Sequence, residues 1–414
     1  MHCKLTKVVA LVLLGVVLAT VPGLVGCGGD GGTGVKEIKY GWDWDFTGRA
    51  AKGTTELLGG MQDYFRMLED TGNPLPVKIK VLTYDGRSEA SRVLAGYIWM
   101  KGQGVDMISC APHDMIMLRS YFEADQIPCF SASTLNANLD SEWMLSEYGS
   151  PEAQLDVIMQ WVIDNWPSYA TRKPKVGFIG LAGVPFYEYQ RATVEDWAVT
   201  DHPDKFEWMG SQMAPSTTTS WAVEISKLKT CDYIMVGMSG PPLASFLIES
   251  KNRGVTSVLA GPLESYLAFW GLVKGAVPES ALDGVISGYI GPWINEDVPF
   301  INAVKEWAPK YHSQKEMEEI YLGTGEWMGW VIGMILEDAV RRAADEVGAE
   351  NVDKMTLFQA LKETNMTIEG FPIPCKVSAK ANALLRAVKL LRYSSSAGDW
   401  QLLQDWKVPA VLAD

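Results

Sequence analysis

Residues 77–110 read VKIKVLTYDGRSEASRVLAGYIWMKGQGVDMISC, and the order of patterns in this stretch decides the fold class. Val77, Ile79 and Val81 alternate with Lys78 and Lys80, the two-residue period of a strand, so 77–84 is a predicted strand. Residues 88–101 place Val93, Leu94, Tyr97 and Ile98 on one side at helical spacing. Residues 105–110 are a short apolar run of the kind found in a parallel sheet covered on both faces. Strand, helix and strand in close succession make a parallel crossover unit.

Working outward, the same alternation continues. Residues 37–44 are β-rich, and 54–70 carry Leu57, Leu58, Met61, Tyr64, Phe65 and Leu68 at helical spacing; 127–130 form another short apolar run. The pattern then restarts with predicted helices at 154–166, 187–199, 221–229 and 243–254. Strands at 175–180, 206–213, 232–237, 258–260 and 284–290 separate or follow them. Two runs of alternation mean two α/β lobes with parallel sheets. Helices are expected at 299–311 and 326–347, and 384–393 with 400–406 read as a terminal β-hairpin.

The chain starts with Lys4 and Lys7, a 12-residue apolar run at 8–19, and the breaker Pro22-Gly23, then Leu24-Val25-Gly26-Cys27. That is the order of an export signal. The cysteine at its end resembles the bacterial lipobox, which implies cleavage before Cys27 and acylation of its thiol and new amino terminus. Two or three acyl chains at ~0.8 kcal/mol per buried CH₂ hold a protein on a membrane. Gly28-Gly29-Asp30-Gly31-Gly32-Thr33-Gly34 is a flexible tether. The alternative is an uncleaved membrane anchor over 8–25, interrupted by Gly15, Thr20, Pro22 and Gly23.

Without a leader of 26 residues, roughly 388 remain, suited to two lobes. Hydrophobic residues at 47% and charged ones at 21% mark a globular chain. Losing the leader's two lysines takes the formal charge from −14 to −16, which argues against nucleic acid and against docking on anionic lipid. Cys110, Cys129, Cys231 and Cys375 fit no zinc spacing; a Cys110–Cys129 disulfide and free buried thiols are both open.

Several short motifs carry a resemblance in order. They are Trp44-Asp45-Phe46-Thr47-Gly48-Arg49, Leu82-Thr83-Tyr84-Asp85-Gly86, Gly104-Val105-Asp106-Met107-Ile108-Ser109-Cys110-Ala111-Pro112 and Ile127-Pro128-Cys129-Phe130-Ser131-Ala132-Ser133-Thr134. Lys175-Val176-Gly177-Phe178-Ile179-Gly180 followed by Phe186-Tyr187 opens the second series. Over nearly all of 36–406 the chain resembles the type I periplasmic binding proteins of the leucine/isoleucine/valine-binding kind, which deliver ligands to ABC importers. The resemblance implies two Rossmann-like lobes joined by a three-segment hinge. It places the first lobe at 36–148 and 291–365, and the second at 149–290 and 366–414, behind a leader at 1–26 and a tether at 27–35. It also implies an extracytoplasmic, lipid-anchored protein with an ABC permease as partner, no cofactor and no catalysis.

Ligands of such folds bind beyond the carboxyl ends of the strands. That rule selects 47–49, 112–114, 131–134, 185–187, 238–240 and 263–264. The candidate ligand-binding residues are Thr47, Arg49, His113, Asp114, Ser131, Ser133, Thr134, Phe186, Tyr187, Met238, Ser239 and Glu264. In family members that bind amino acids, hydroxyls and backbone N–H groups matching 131–134 hold the carboxylate, and an acid near Glu264 holds the ammonium. Arg49 is a carboxylate clamp or a surface arginine; His113 is a ligand reader or an exposed loop residue. Trp44, Phe186, Tyr187 and Trp293 are an aromatic wall in the making. The ligand classes this leaves are an amino acid, an amide or an aromatic acid.

Enzyme readings are weaker. Gly237-Met238-Ser239-Gly240-Pro241 lacks the final glycine of a nucleophile elbow, and a hydrolase also needs a placed histidine among His113, His202 and His312. No P-loop and no H-E-x-x-H occur, and the distant histidines leave no recognisable metal site. A sensor working with a membrane signalling protein is the other use of the same fold.

Overall fold

The computed structural model describes residues 35–48, 50–87 and 89–414. Cys27, the leader, the tether and Arg49 lie outside the described residues. The first strands are β1 (Glu37–Trp44), β2 (Lys78–Asp85), β3 (Met107–Cys110), β4 (Cys129–Ser131) and β5 (Met144–Tyr148). There follow β6 (Lys175–Leu181), β7 (Glu207–Ala214), β8 (Tyr233–Gly237), β9 (Val258–Gly261) and β10 (Ile286–Tyr289). The last are β11 (Ala383–Leu385), β12 (Val388–Ser394) and β13 (Asp399–Lys407). One sheet has the order β11-β5-β4-β3-β1-β2 and the other β13-β12-β10-β9-β8-β6-β7. The first is parallel throughout; the second is parallel except where β12 joins β10 and β13. This is the two-lobed α/β architecture expected from the alternation.

Helices between the strands include α1 (Ala51–Asp70), α2 (Ala90–Gly102), α3 (Pro112–Asp125), α4 (Pro151–Asn165) and α5 (Pro185–Asp196). They continue with α6 (Ala222–Leu228), α7 (Gly240–Asn252) and α8 (Leu263–Tyr266). α1 buries Leu57, Leu58, Met61, Tyr64 and Leu68, each apolar side chain contributing ~1.5–3 kcal/mol. It packs on the helix Gly325–Val347 at very short range. A Cβ on Gly60 would lie 1.9 Å from the Glu326 carbonyl oxygen, and one on Gly329 would lie 2.2 Å from that of Leu57. Only glycine permits this crossing.

Two segments differ from expectation. β5 was not expected as a strand, because its sequence MLSEY buries Ser146 and Glu147 and shows no period. The expected hairpin arm 384–393 is divided: Ala383–Leu385 pairs with β5 in the first sheet, and only Val388–Ser394 pairs with β13. The last passage between sheets therefore falls at 386–387, later than the expected 366. Apolar residues flank Arg386-Ala387 on both sides, so the stretch reads as one strand although the crossing falls there. Cys110, Cys129, Cys231 and Cys375 are free and buried. Among the described residues no helix is long and apolar enough to cross a membrane.

Candidate functional site

The carboxyl ends of strands from both sheets line one cavity. It offers about 180 Å³ to water-sized solutes, against the ~10–15 Å³ that a single water needs. Apolar groups dominate its surface, among them Leu57, Pro112, Ala132, Leu181, Val184, Leu263, Phe269 and Met328. A few polar groups set in apolar walls are the usual composition of a small-molecule site.

The wall from the first sheet starts at the end of β1. Trp44 donates from Nε1 to Ser109 Oγ at 2.8 Å. Ser131 Oγ lies 3.4 Å from Ser109 Oγ and donates to the Cys110 carbonyl at 2.5 Å. Ser131 is thus fully buried behind the wall, where it continues the hydrogen-bond chain that orients the Trp44 indole. Asp45 accepts from the Gly48 and Ala50 backbone N–H groups and closes the loop before α1. Pro112 at the start of α3 puts His113 and Asp114 in its first turn, where an acid is favoured by the helix N-terminus. His113 Nε2 lies 3.3 Å from Asp114 Oδ1. Burial pushes the Asp114 carboxyl up, opposed by His113. Behind it, burial, reinforced by Asp114, pushes Asp43 up to about 8.

On the wall from the second sheet, Tyr187 Oη and Ser239 Oγ are 2.8 Å apart. Phe186 packs edge-on against Tyr187 at 5.5 Å, and its other neighbour is His113 of the opposite wall at 6.4 Å. These two rings span the cleft. Gln154 of α4 donates from Nε2 to Glu264 Oε2 at 3.1 Å and accepts from the Leu263 backbone N–H at 2.8 Å. Burial pushes the Glu264 carboxyl up to about 7, with Gln154 and Tyr148 holding it back.

His113, Asp114, Ser133, Phe186, Tyr187, Ser239 and Glu264 therefore meet at one cavity, with Trp44 beside them. Four other candidates are elsewhere. Thr47 is exposed and donates to Asp85 Oδ2 at 2.5 Å, stapling the loop after β1 to the end of β2. Ser131, Thr134 and Met238 are buried behind the lining. Trp293, expected in the aromatic wall, donates from Nε1 to Asp399 at 3.0 Å, away from the cavity. A strand end turns alternate side chains inward and outward, so neighbours in the sequence part company there.

Sequence reasoning missed Tyr148, Thr54, Phe269, Thr324 and Met328, all on the lining. Tyr148 ends the unrecognised β5; the others lie farther along the chain from any strand end than the rule reaches. The distant histidines are not all isolated either. His312 meets Asp63 at 2.5 Å, with Glu326 4.0 Å from the same nitrogen. The short His312–Asp63 contact is a hydrogen bond that ties the segment after Pro309 to α1, and it leaves no space for an ion between the two.

The periplasmic binding protein family model matches residues 37–399. None of the curated proteins matches the sequence significantly. Solved structures share the fold at low identity. A branched chain amino acid ABC transporter protein from Thermus thermophilus with bound valine has a TM-score of 0.76 at 14% identity, covering 92% of this chain and 98% of that one. A fatty acid ABC transporter substrate-binding protein from Thermomonospora curvata scores 0.75 at 15% identity, covering 91% and 94%. An ABC transporter solute-binding protein from R. palustris in complex with 4-hydroxybenzoate scores 0.72 at 12% identity, covering 91% and 98%. With the match spanning both sheets and every strand that borders the cavity, the chain belongs to the periplasmic binding protein family.

Proposed function

We propose that this protein is the lipid-anchored, extracytoplasmic solute-binding component of an ABC importer, and that it captures a small amphipathic organic molecule in the cleft. The family makes it a solute-binding protein that works outside the cytoplasm. The observation that carries the ligand class is the cavity itself. Its apolar lining is interrupted by His113, Ser133, Tyr187, Ser239 and Glu264, and the His113–Phe186 contact bridges its walls. Such a surface favours an apolar body with one or two hydrogen-bonding ends over a sugar, which presents hydroxyls all round. Related folds holding valine and 4-hydroxybenzoate have the same kind of ligand. Anchoring rests on the lipobox-like Cys27 and the glycine tether behind it.

Thermal unfolding of the full chain in detergent, against amino acids, aromatic acids, amides, nucleosides and sugars, tests the binding. A ligand at about 100 times its Kd adds ~2.7 kcal/mol, a shift of several degrees confined to one chemical class. A flat panel on folded protein sinks the reading. Cys27→Ser should move the protein from the membrane to the soluble fraction; retention on the membrane refutes the lipid anchor.

A further inference from the structure

A second, smaller pocket lies directly behind the cleft, and Met328 is a wall of both. It offers about 10 Å³, the space of one heavy atom with its hydrogens. Glu147 lines it with no solvent exposure, and neither of its carboxyl oxygens has a hydrogen-bond partner. Trp327, buried on the same lining, presents an Nε1–H that makes no hydrogen bond of normal geometry and has the Tyr289 hydroxyl near it. Native proteins rarely leave such groups bare. The rest of the lining is apolar and aromatic, with Tyr289, Phe300 and Phe371. Gly291 and Leu385 also border it. With Glu147, they put the pocket beside each of the three passages between the sheets.

We propose that this pocket is a second compartment of the ligand site, and that it takes the hydroxyl group of a phenol or alcohol between Glu147 and Trp327. The proposal rests on the cleft being the solute site. Burial disfavours the charged form of Glu147 and holds its carboxyl well above the usual range; the neutral acid has one donor and one acceptor. Trp327 adds a donor only. A hydroxyl oxygen accepts from the indole and from the acid, and its proton returns to the carboxyl oxygen, so all three groups are satisfied. An ammonium would leave the indole N–H bare, and a carboxylate is too large for the space. A metal ion would find one carboxyl and no second carboxylate, histidine or cysteine among the described lining residues. Met328 is unbranched and flexible, which suits a partition that a ligand must pass.

Isothermal titration of the full chain in detergent with paired probes decides the matter: tyrosine with phenylalanine, 4-hydroxybenzoate with benzoate, and 4-hydroxybenzamide with benzamide. Wild type should bind the hydroxylated member of at least one pair about tenfold or more tightly than its partner. Glu147→Leu and Trp327→Phe should each shrink that preference to within about threefold, leaving the affinity of the unhydroxylated partner unchanged. Glu147→Gln, which keeps a donor and an acceptor, should retain most of it. A ligand lacking any hydroxyl, or a preference untouched by Glu147→Leu, overturns the second compartment and leaves the cleft assignment intact. Equal binding within every pair means that the pocket holds only water, which also overturns it. No binding by any compound of the wider panel takes down both readings.

Discussion

On the second-sheet wall of the cleft, Tyr187 meets Ser239 and Glu264 takes the amide of Gln154. On the first-sheet wall, Thr54 and Thr324 are buried at the lining with no hydrogen-bond partner for either hydroxyl. The contrast comes from how each wall is held. The second is made of helix starts that follow strands, and Gln154 reaches across to it from α4. The first is closed by two helix starts so near each other that a Cβ on Gly325 would lie 3.2 Å from the Gly53 carbonyl. The side chain that enters there, Glu56, leaves the hydroxyls of Thr54 and Thr324 without a partner. The second wall is complete without a ligand, whereas the first has hydrogen bonds left for a ligand to make.

Separating the two helices should break the comparison outright. Gly329→Val places a branched side chain against the backbone of α1, and urea unfolding should show a loss of about 3 kcal/mol. A loss below ~1 kcal/mol would mean that the crossing is far looser than its geometry.

The second wall carries a pH signature. The folded pKa of Glu264, about 7, stands above the ~4.3 of an unfolded chain. The folded state therefore holds more protons between these values, and stability falls as pH rises from about 4.5 to about 7, then levels. The contribution is on the order of 4 kcal/mol. Glu264→Gln should remove it from the difference profile, while the parallel slopes from Glu56 and Glu152, raised to about 7 and about 8, persist. An unchanged profile would show that the Glu264 carboxyl is well solvated.

Smaller effects of opposite sign sharpen the contrast. Tyr187→Phe strips Ser239 of its partner and should cost the ligand-free protein about 1 kcal/mol. Thr324→Val removes a bare hydroxyl at constant shape and should stabilise it by up to ~1 kcal/mol, while weakening any ligand that bonds there. Equal signs from chemical denaturation would erase the distinction between the walls.

Periodicity made most strands and helices legible, since a strand buried on both faces and a helix with one apolar side leave different spacings. Glu37–Trp44 was readable to the residue. β5 and β11 were not, because one buries a glutamate and a serine, and the other runs on through Arg386-Ala387 into the residues of β12. At the site, residues just after strand ends, on loops or in the first turn of the next helix, were found by the carboxyl-end rule: His113, Ser133, Phe186, Tyr187, Ser239 and Glu264. Thr54, Thr324 and Met328 were hidden because their relation to the cleft depends on a helix crossing between parts of the chain about 270 residues apart.

The amino-acid order alone determined the α/β class, two lobes and the strand ends that face the ligand cavity, because these follow from local patterns repeated along the chain. Only tertiary structure decided which strand-end side chains turn inward, that Ser131 supports Trp44 from behind, and that Glu147 and Trp327 line one small pocket at the passages between sheets. Those outcomes depend on close packing between distant segments, where shifts of about an ångström determine whether a polar group finds a partner.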